Sequence, residues 1–344
     1  MCGFYMLDDD NQLSSFFAAQ LDAASGHFDR AREEFLMRLL VTGGAGFVGS
    51  NLARLALANR IDVTIIDDLS TGYLDNLADL DLRFINASIL DVDAVRQALE
   101  GVDSVIHLAA LGSVPRSVAD PMASHAANAT GTLNVLEESR KAGTGHLVVS
   151  SSSSVYGMNP VLPKSERAWV RPMSPYAVSK LATEQYVLAY QQSYGMSTLA
   201  FRLFNVYGPG QRAGHAYAAV IPIYMDALLR GLPLPVHGDG TQSRDFTYVG
   251  TVCEIMLDAA LRRVTHPEPV NLAFGTNTTI CDLVDVIGQI SGTSPTLQRC
   301  DPRPGDVAHS RADNAVLRSL FPTAQPVNLQ HGLGKTFEWF GGLR

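Results

Sequence analysis

Short apolar segments alternate with longer helical stretches along the chain from residue 37 onward. The apolar segments end in Gly, Ser or Asp and predict buried strands, and the stretches between them predict helices. This alternation favours an α/β fold with a doubly wound parallel sheet, whose ligands bind beyond the carboxyl ends of the strands. The predicted strands lie at 38–42, 62–66, 82–85, 104–108, 147–149 and 198–203, and the predicted helices at 50–60, 92–99 and 123–142.

The pattern predicts two parts of unequal size. Residues 37–204 carry the regular alternation, and residues 205–344 are richer in turns, which favours a smaller α/β lobe with some elements returning to the first part. Residues 1–36 form an extension before MRLLVTGG, with an amphipathic pattern over 13–36. The sequence assigns no role to this extension.

The first strand runs directly into the glycine-rich segment GGAGFVG (43–49), and a helical stretch follows. Glycines at 43, 46 and 49 allow a tight turn, a close approach of the backbone to a pyrophosphate, and close packing of helix on strand. The pyrophosphate is expected on the N–H groups of the new helix. The segment therefore predicts a dinucleotide site with contacts from Gly43, Gly46, Phe47 and Val48.

Two aspartates end the second strand, and Asp67 follows Gly49 by 18 residues. This separation is typical of the carboxylate that binds the adenosine ribose of a dinucleotide. Because a carboxylate there repels a 2′-phosphate, Asp67 and Asp68 favour NAD over NADP. A surface turn is the alternative for either residue alone.

A proton-transfer group is predicted between the fifth strand and the next helix. Ser174 can cap that helix and Pro175 fits its first turn, so Tyr176 and Lys180 project from one face, four residues apart. A tyrosine has a pKa of about 10, and an adjacent ammonium together with a positive nicotinamide would favour its phenolate. With a serine from the strand end at 150–154, such a group can move a proton on and off an alcohol.

The motifs TGGAGFVG, HLAA, SSSSVYG and SPYAVSK, in this order, resemble the extended short-chain dehydrogenase/reductase superfamily and its nucleotide-sugar epimerase branch. The likeness runs from about residue 37 to 318. LGSVPRS (111–117), the serine run and AYAAVIP (216–222) most resemble bacterial UDP-N-acetylglucosamine 4-epimerases. The resemblance implies a Rossmann domain, NAD, a UDP-sugar substrate and a homodimer, with Ser152, Tyr176 and Lys180 catalytic.

The resemblance also implies the remaining contacts. Cofactor contacts are expected from Ser88, Ile89, Leu108, Ala109, Ala110, Asn128 and Leu203, although Ser88-Ile89 stands where the family usually has an Asp against the adenine. Substrate contacts are expected from Ser152, Ser153, Asn205, Ala219, Val220, Val236, Arg244, Arg303, Asp306 and Ser310. Among these, the two arginines and Asn205 are expected to bind the diphosphate, and Asp306 the uridine ribose.

The residues beside the active serine distinguish the reactions open to this branch. Dehydratases carry Asp-Glu there and uronate decarboxylases usually a Glu, whereas Ser152 is followed by Ser153 and Ser154. C4 epimerisation is therefore the expected reaction. Ser310 occupies a position where a bulky residue restricts the enzyme to plain hexoses, so an N-acetyl group should be admitted. UDP-glucuronate 4-epimerisation, a related dehydratase or decarboxylase, and a non-enzymatic dinucleotide sensor are the alternatives.

Composition is that of an ordinary globular enzyme, with 46% hydrophobic and 17% charged residues. The net charge of −8 argues against a general nucleic-acid binder, and no apolar run reaches the roughly 18 residues of a membrane span. Four scattered cysteines without metal-ligand spacing favour reduced thiols in a cytoplasmic protein. No metal is expected.

Overall fold

The computed structural model describes residues 37–213, 218–301 and 307–343. Its strands are β1 (Arg38–Thr42), β2 (Asp62–Asp67), β3 (Arg83–Asn86), β4 (Ser104–His107), β5 (His146–Ser152), β6 (Thr198–Leu203), β7 (Asn205–Tyr207), β8 (Leu234–His237), β9 (Ser243–Arg244), β10 (Phe246–Tyr248), β11 (Val270–Leu272), β12 (Thr278–Thr279) and β13 (Leu297–Cys300). Its α-helices are α1 (Phe47–Ala58), α2 (Val92–Ala98), α3 (Val114–Ala119), α4 (Pro121–His125), α5 (Gly131–Ala142), α6 (Pro175–Tyr194), α7 (Val220–Leu229), α8 (Val249–Leu261), α9 (Ile280–Ser291), α10 (Ala315–Leu320) and α11 (Leu329–Gly342).

Seven parallel strands form the central sheet, in the order β11-β6-β5-β4-β1-β2-β3. The order reverses between β1 and β4, where a crevice for ligands opens at the carboxyl ends of the strands. The expected doubly wound α/β fold is confirmed. β11 comes from the second part of the chain, so the chain after residue 205 returns to this sheet.

Alternate residues of each strand point to opposite faces of the sheet, and both faces are covered. Leu39 and Val41 of β1 pack with α1 and α8, while Leu40 packs with α2, α5 and α6 on the other face. Burial on both faces explains why the strands read as continuous apolar runs rather than as alternating patterns. The strand ends that carry Thr42, Asp67, His107 and Ser152 therefore meet at one edge.

The helix that carries Tyr176 and Lys180 begins where the sequence predicted. The Ser174 side chain accepts a hydrogen bond of 3.2 Å from the Ala177 N–H, and Pro175 occupies the first helical position. Gly195 ends the helix in the left-handed conformation, with φ of 66°. The cap fixes the first turn of α6, from which Tyr176 projects.

The helix predicted over 123–142 is confirmed, but it is not α-helical throughout. The structure has α4, then a π-helical turn over residues 126–130, then α5. A π turn inserts an extra residue into the helical ladder, and hydrophobic periodicity does not reveal it.

The second part of the chain has its own apolar core. Tyr224 of α7, Leu283 of α9 and Leu333 of α11 are buried there against β8. Three two-stranded pairings, β7 with β10, β9 with β12 and β8 with β13, complete this lobe. The lobe faces the carboxyl edge of the large sheet through β7, which directly follows β6.

Candidate active site

The glycine turn between β1 and α1 brings backbone close to backbone. Gly43 has φ of +72°, and a Cβ there would lie 2.6 Å from the Ala109 nitrogen. A Cβ at Gly49 would lie 2.6 Å from Cα of Gly44. Gly46 caps α1 without a side chain, so the first N–H groups of α1 stay available to an anion. The turn fits a dinucleotide diphosphate.

Asp67 binds the glycine turn at the end of β2. One of its carboxylate oxygens accepts from the Ala45 N–H at 2.9 Å, and the other accepts from the Leu69 N–H at 2.8 Å. Burial raises the pKa of Asp67, and these two backbone hydrogen bonds act in the opposite direction. Each oxygen keeps a second acceptor direction for a ribose hydroxyl.

A cavity of about 440 Å³ lies along the switch point of the sheet, a size typical of ligand sites. Most residues expected to contact the cofactor line it: Gly43, Gly46, Phe47, Val48, Asp67, Asp68, Ser88, Ile89, Leu108, Ala109, Ala110 and Leu203. We call it the cofactor cleft. Its lining also includes Tyr73, Arg116, Gln211 and Arg212, which the sequence did not suggest.

Ser152, Tyr176 and Lys180 meet beside this cleft. Ser152 ends β5, with its Oγ 2.7 Å from Ser154 Oγ, and it shares a hydrogen bond with the Tyr176 side chain. The Lys180 Nζ donates to the Ser150 carbonyl at 2.7 Å, and Ser150 itself lines the cleft. The sheet edge and the first two turns of α6 thus bring Tyr176 to Ser152 and Lys180 to Ser150.

Burial shifts the pKa of both Tyr176 and Lys180 in the protein alone. It raises the pKa of Tyr176, against the effect of the hydrogen bond with Ser152, and the phenolate predicted from the sequence belongs to the state with a nicotinamide nearby. Burial also lowers the pKa of Lys180 to about 8, so the amine keeps its proton at neutral pH. In the protein alone, desolvation of the phenol outweighs its hydrogen bond with Ser152.

Two further cavities adjoin the cofactor cleft. One, of about 210 Å³, is lined by Asn205, Ala219, Val220 and Arg244, all expected substrate contacts. The other, of about 390 Å³, contains Ser152, Ser153, Asn205, Arg244 and Ser310, and we call it the sugar cavity. Leu203 lines both the cofactor cleft and the sugar cavity. The cofactor cleft and the sugar cavity therefore meet at Leu203.

Val236, an expected substrate residue, does not line either of these two cavities. Val236 is buried in the core of the second lobe, while its neighbours Pro235 and His237 line the smaller cavity. The alternation of side chains along β8 accounts for this difference. Arg303 and Asp306 lie outside the described residues.

The protein-family model described as the NAD dependent epimerase/dehydratase family matches residues 39–273. The chain belongs to this family. It is an NAD-dependent enzyme.

Relatives within this family are similar over almost their whole length. A UDP-glucose 4-epimerase of Mycolicibacterium smegmatis is 37% identical over 88% of this chain and 98% of its own. The structure of a UDP-N-acetylglucosamine 4-epimerase from Methanobrevibacter ruminantium M1 is 35% identical, with a TM-score of 0.85 over 90% of this chain and 99% of its own. DesIV from Streptomyces venezuelae, a dTDP-glucose 4,6-dehydratase solved with NAD and TYD bound, is 30% identical, with a TM-score of 0.81 over 89% and 97%.

Asn128, an expected cofactor contact, is absent from the lining of the cofactor cleft. It is buried in the π turn. Its side-chain oxygen accepts from the Leu111 N–H at 2.8 Å, and its amide donates to Ser179 Oγ at 2.8 Å. Asn128 therefore connects the cleft wall after β4 with the helix that carries Tyr176.

His107 is a buried residue at the end of β4 to which the sequence analysis assigned no role. Its ring nitrogens lie 2.6 Å from Thr42 Oγ1 and 2.9 Å from Thr132 Oγ1. Burial, with a smaller contribution from Lys180, lowers its pKa to about 3, so the imidazole is neutral at neutral pH. It links the ends of β1 and β4 under the cleft.

Among the residues that the structure describes, no group of three or more His, Cys, Asp and Glu side chains is arranged to hold a metal ion. No helix in the same three segments is long and apolar enough to cross a membrane.

Proposed function

We propose that the protein catalyses NAD-dependent C4 epimerisation of a UDP-hexose, interconverting UDP-GlcNAc and UDP-GalNAc through a 4-keto sugar. The observation that carries this proposal is the hydrogen bond of Tyr176 with Ser152, which lines a sugar cavity whose described lining holds no carboxylate. The similarity to relatives named as UDP-glucose and UDP-N-acetylglucosamine 4-epimerases supports the same reaction.

Tyr176 is the base for the C4 hydroxyl, and Ser152 hydrogen-bonds the same oxygen. Removal of the hydroxyl proton lets the C4–H bond break and the C4–O bond become a carbonyl. NAD supplies the acceptor for the hydride and the positive ring that favours a tyrosine phenolate. Because Ser152 already shares a hydrogen bond with Tyr176, serine and tyrosine can both contact one substrate oxygen.

Lys180 supplies a positive charge near Tyr176 and Ser152. Its ammonium donates to the Ser150 carbonyl, and burial lowers its pKa to about 8, so the protonated form still prevails at neutral pH and places a positive charge beneath the cleft. That charge favours the phenolate form of Tyr176 once the pyridinium lies nearby.

Inversion at C4 requires the keto sugar to present its opposite face before reduction. Small residues, Ser153, Ser154, Gly157 and Ser310, line the sugar cavity and leave room for this rotation. The nucleotide stays bound through Arg244 and Asn205, which line both substrate cavities, while the sugar turns. Arg303 and Asp306 remain proposed contacts of the diphosphate and the uridine ribose.

A 4,6-dehydration would need further groups. Removal of the C5 proton and expulsion of the C6 hydroxyl call for a base and an acid beside the ketone. The residues after Ser152 are serines, and the described lining offers only Lys164 and His309 as other titratable groups apart from arginine and tyrosine. This favours epimerisation over the dehydration named for DesIV.

A substrate panel tests the proposal. The holoenzyme is incubated separately with UDP-GlcNAc, UDP-glucose and UDP-glucuronate without added reductant, and products are identified by NMR. We expect UDP-GalNAc from the first, with no net NADH. A deoxygenated or decarboxylated product would contradict the proposal. If UDP-glucuronate alone were turned over, the substrate would be a UDP-uronate and not the proposed UDP-hexose.

Ser310 offers a sharper test of substrate size. It lines the sugar cavity and is held by a 3.1 Å hydrogen bond from its N–H to the Ser243 carbonyl. In Ser310→Tyr, the ring would fill the space for an N-acetyl group, so kcat/KM for UDP-GlcNAc should fall by about tenfold to 200-fold relative to UDP-glucose. Ser310→Ala is the matched control. Equal losses on both substrates would refute the size argument.

We also propose that two copies pair through α6 and its neighbours α3 and α4, in a cytoplasmic enzyme. These adjacent helices expose Val118, Met122, Val178 and Tyr186. Sedimentation velocity tests pairing, since one chain has a mass of 37.0 kDa.

A further inference from the structure

A loop of the second lobe lies over the diphosphate end of the cofactor cleft. We call residues 208–213, which follow β7, the clasp. The Asn51 amide donates to the Pro209 carbonyl of the clasp at 2.9 Å and to the Phe47 carbonyl at 2.8 Å. Gly210, with φ of +89°, packs beside Phe47 and Asn51. The clasp is thus attached to the first turn of α1, where the glycine turn offers its N–H groups.

Arg212 is held at this place by an aromatic ring. Its guanidinium carbon lies 3.9 Å from the centre of the Tyr73 ring, and the Tyr73 N–H donates to the Ala45 carbonyl at 3.0 Å. Tyr73 and Arg212 both line the cofactor cleft. The stacked pair therefore connects the second lobe to the glycine turn across the open side of the cleft.

The clasp carries two buried polar atoms without partners among the described residues. These are Nε of Arg212 and Oε1 of Gln211, whose amide nitrogen donates to the Val206 carbonyl at 3.2 Å. Buried polar groups are nearly always hydrogen-bonded in a native protein, so we expect a ligand to bind both atoms. The arginine N–H would donate to an anion, and Gln211 Oε1 would accept from a hydroxyl or N–H group.

Of the charged residues that line the cleft, Arg212 is the one stacked on Tyr73, which hydrogen-bonds the glycine turn. The described lining carries two carboxylates, Asp67 and Asp68, and two guanidiniums, Arg116 and Arg212. Arg116 belongs to α3, after β4, whereas Arg212 stacks beside the start of α1. The ion pair of Arg212 with Asp75 is 4.0 Å long, and Asp75 is 89% exposed, so it competes weakly for the guanidinium.

We propose that Arg212 binds the diphosphate of NAD, and that the clasp thereby retains the cofactor between turnovers. The proposal rests on the cofactor placement described above, with the diphosphate on the first turn of α1. Gln211 lines both the cofactor cleft and the smaller substrate cavity, so the clasp also lies between the two nucleotides.

The rate at which bound NAD is replaced by NADH tests the role of Arg212, and the measurement needs no sugar nucleotide. NAD-loaded protein is mixed with excess NADH, and the exchange rate is followed by NADH fluorescence. In Arg212→Gln we expect exchange about tenfold faster, since a charge-assisted hydrogen bond is lost. Arg83→Gln removes a surface arginine paired with Glu100 and should stay within about twofold of wild type. An unchanged rate in Arg212→Gln would overturn the proposal.

Two further measurements separate charge from packing. The exchange rates of wild type and Arg212→Gln should become more similar as ionic strength rises, because salt screens the contact of Arg212 with the diphosphate. A difference that salt leaves unchanged would assign Arg212 a packing role instead. Tyr73→Phe should exchange like wild type, whereas Tyr73→Leu should exchange faster, because only the leucine removes the ring under Arg212. Failure of these results would leave the epimerase proposal standing, since none of them involves catalysis.

Discussion

In Tyr176→Phe, kcat for UDP-GlcNAc should fall by about a thousandfold, while the affinity for NAD stays within about twofold of wild type. The ring still fills its place in the first turn of α6, and only the hydroxyl beside Ser152 is lost. Without it, no described side chain in contact with Ser152 can take the C4 proton at neutral pH, because Ser154 is also a neutral hydroxyl. NMR of the products gives kcat, and NADH fluorescence gives the affinity.

Tyr194→Phe is the matched control for this variant. Tyr194 is on the same helix, is 56% exposed, and keeps its ring contact with Tyr190 after the change. Turnover in Tyr194→Phe should equal that of wild type. If Tyr176→Phe also kept wild-type turnover, the assignment of Tyr176 as the base would be wrong. A dinucleotide sensor without catalysis would show no turnover even before mutation.

In Glu184→Gln, the free energy of unfolding should fall by about 3–5 kcal/mol. Glu184 is completely buried on α6, and its carboxylate oxygens accept from Arg202 at 2.6 and 3.0 Å. Its second partner is Ser151, whose hydroxyl donates to it at 2.7 Å. The neutral amide leaves the buried Arg202 guanidinium without a counter-charge. Chemical denaturation measures the loss.

The double variant Glu184→Gln/Arg202→Met separates this cause from a simple loss of packing. Removing the unpaired charge should recover a large part of the lost stability, because an apolar residue of similar length needs no partner. The Arg202 guanidinium also lies 4.7 Å from the centre of the Tyr156 ring, so recovery should be incomplete. A double variant less stable than Glu184→Gln would contradict the account.

This buried pair also supports the catalytic edge of the sheet. Ser151 precedes Ser152, and the hydrogen bond of Ser151 to Glu184 ties the end of β5 to α6, which carries Tyr176. Loss of the pair should therefore lower kcat as well as stability. The positions of Ser152 and Tyr176 therefore depend on the Glu184–Arg202 pair, although that pair is proposed to have no contact with the substrate.

Much of the site could be predicted because its determinants are local. The glycine turn, Asp67 at the end of β2 and the Ser174 cap each follow from a few adjacent residues, and each is in its predicted place. Parallel strands then bring these ends together at one edge. Fold class and the proximity of Ser152 to Tyr176 follow from the same rules.

Other features depend on contacts between distant parts of the chain. The stacking of Arg212 on Tyr73 joins residues far apart in sequence, and no spacing rule reveals it. The π turn around Asn128 interrupts a helix whose pattern reads as continuous. Val236 turned into the core because the register of β8, not its residue type, decides which side chains face the cavity.

The fate of the hydrogen at C4 tests the central proposal most directly. UDP-GlcNAc deuterated at C4 is incubated with the holoenzyme in ordinary water, and the product is examined by proton and deuterium NMR. If the C4 hydroxyl is oxidised and the ketone reduced again within one site that holds Tyr176, Ser152 and NAD, UDP-GalNAc will keep its deuterium at C4. Product with hydrogen from solvent at C4, or deuterium at another carbon, would contradict the proposed reaction.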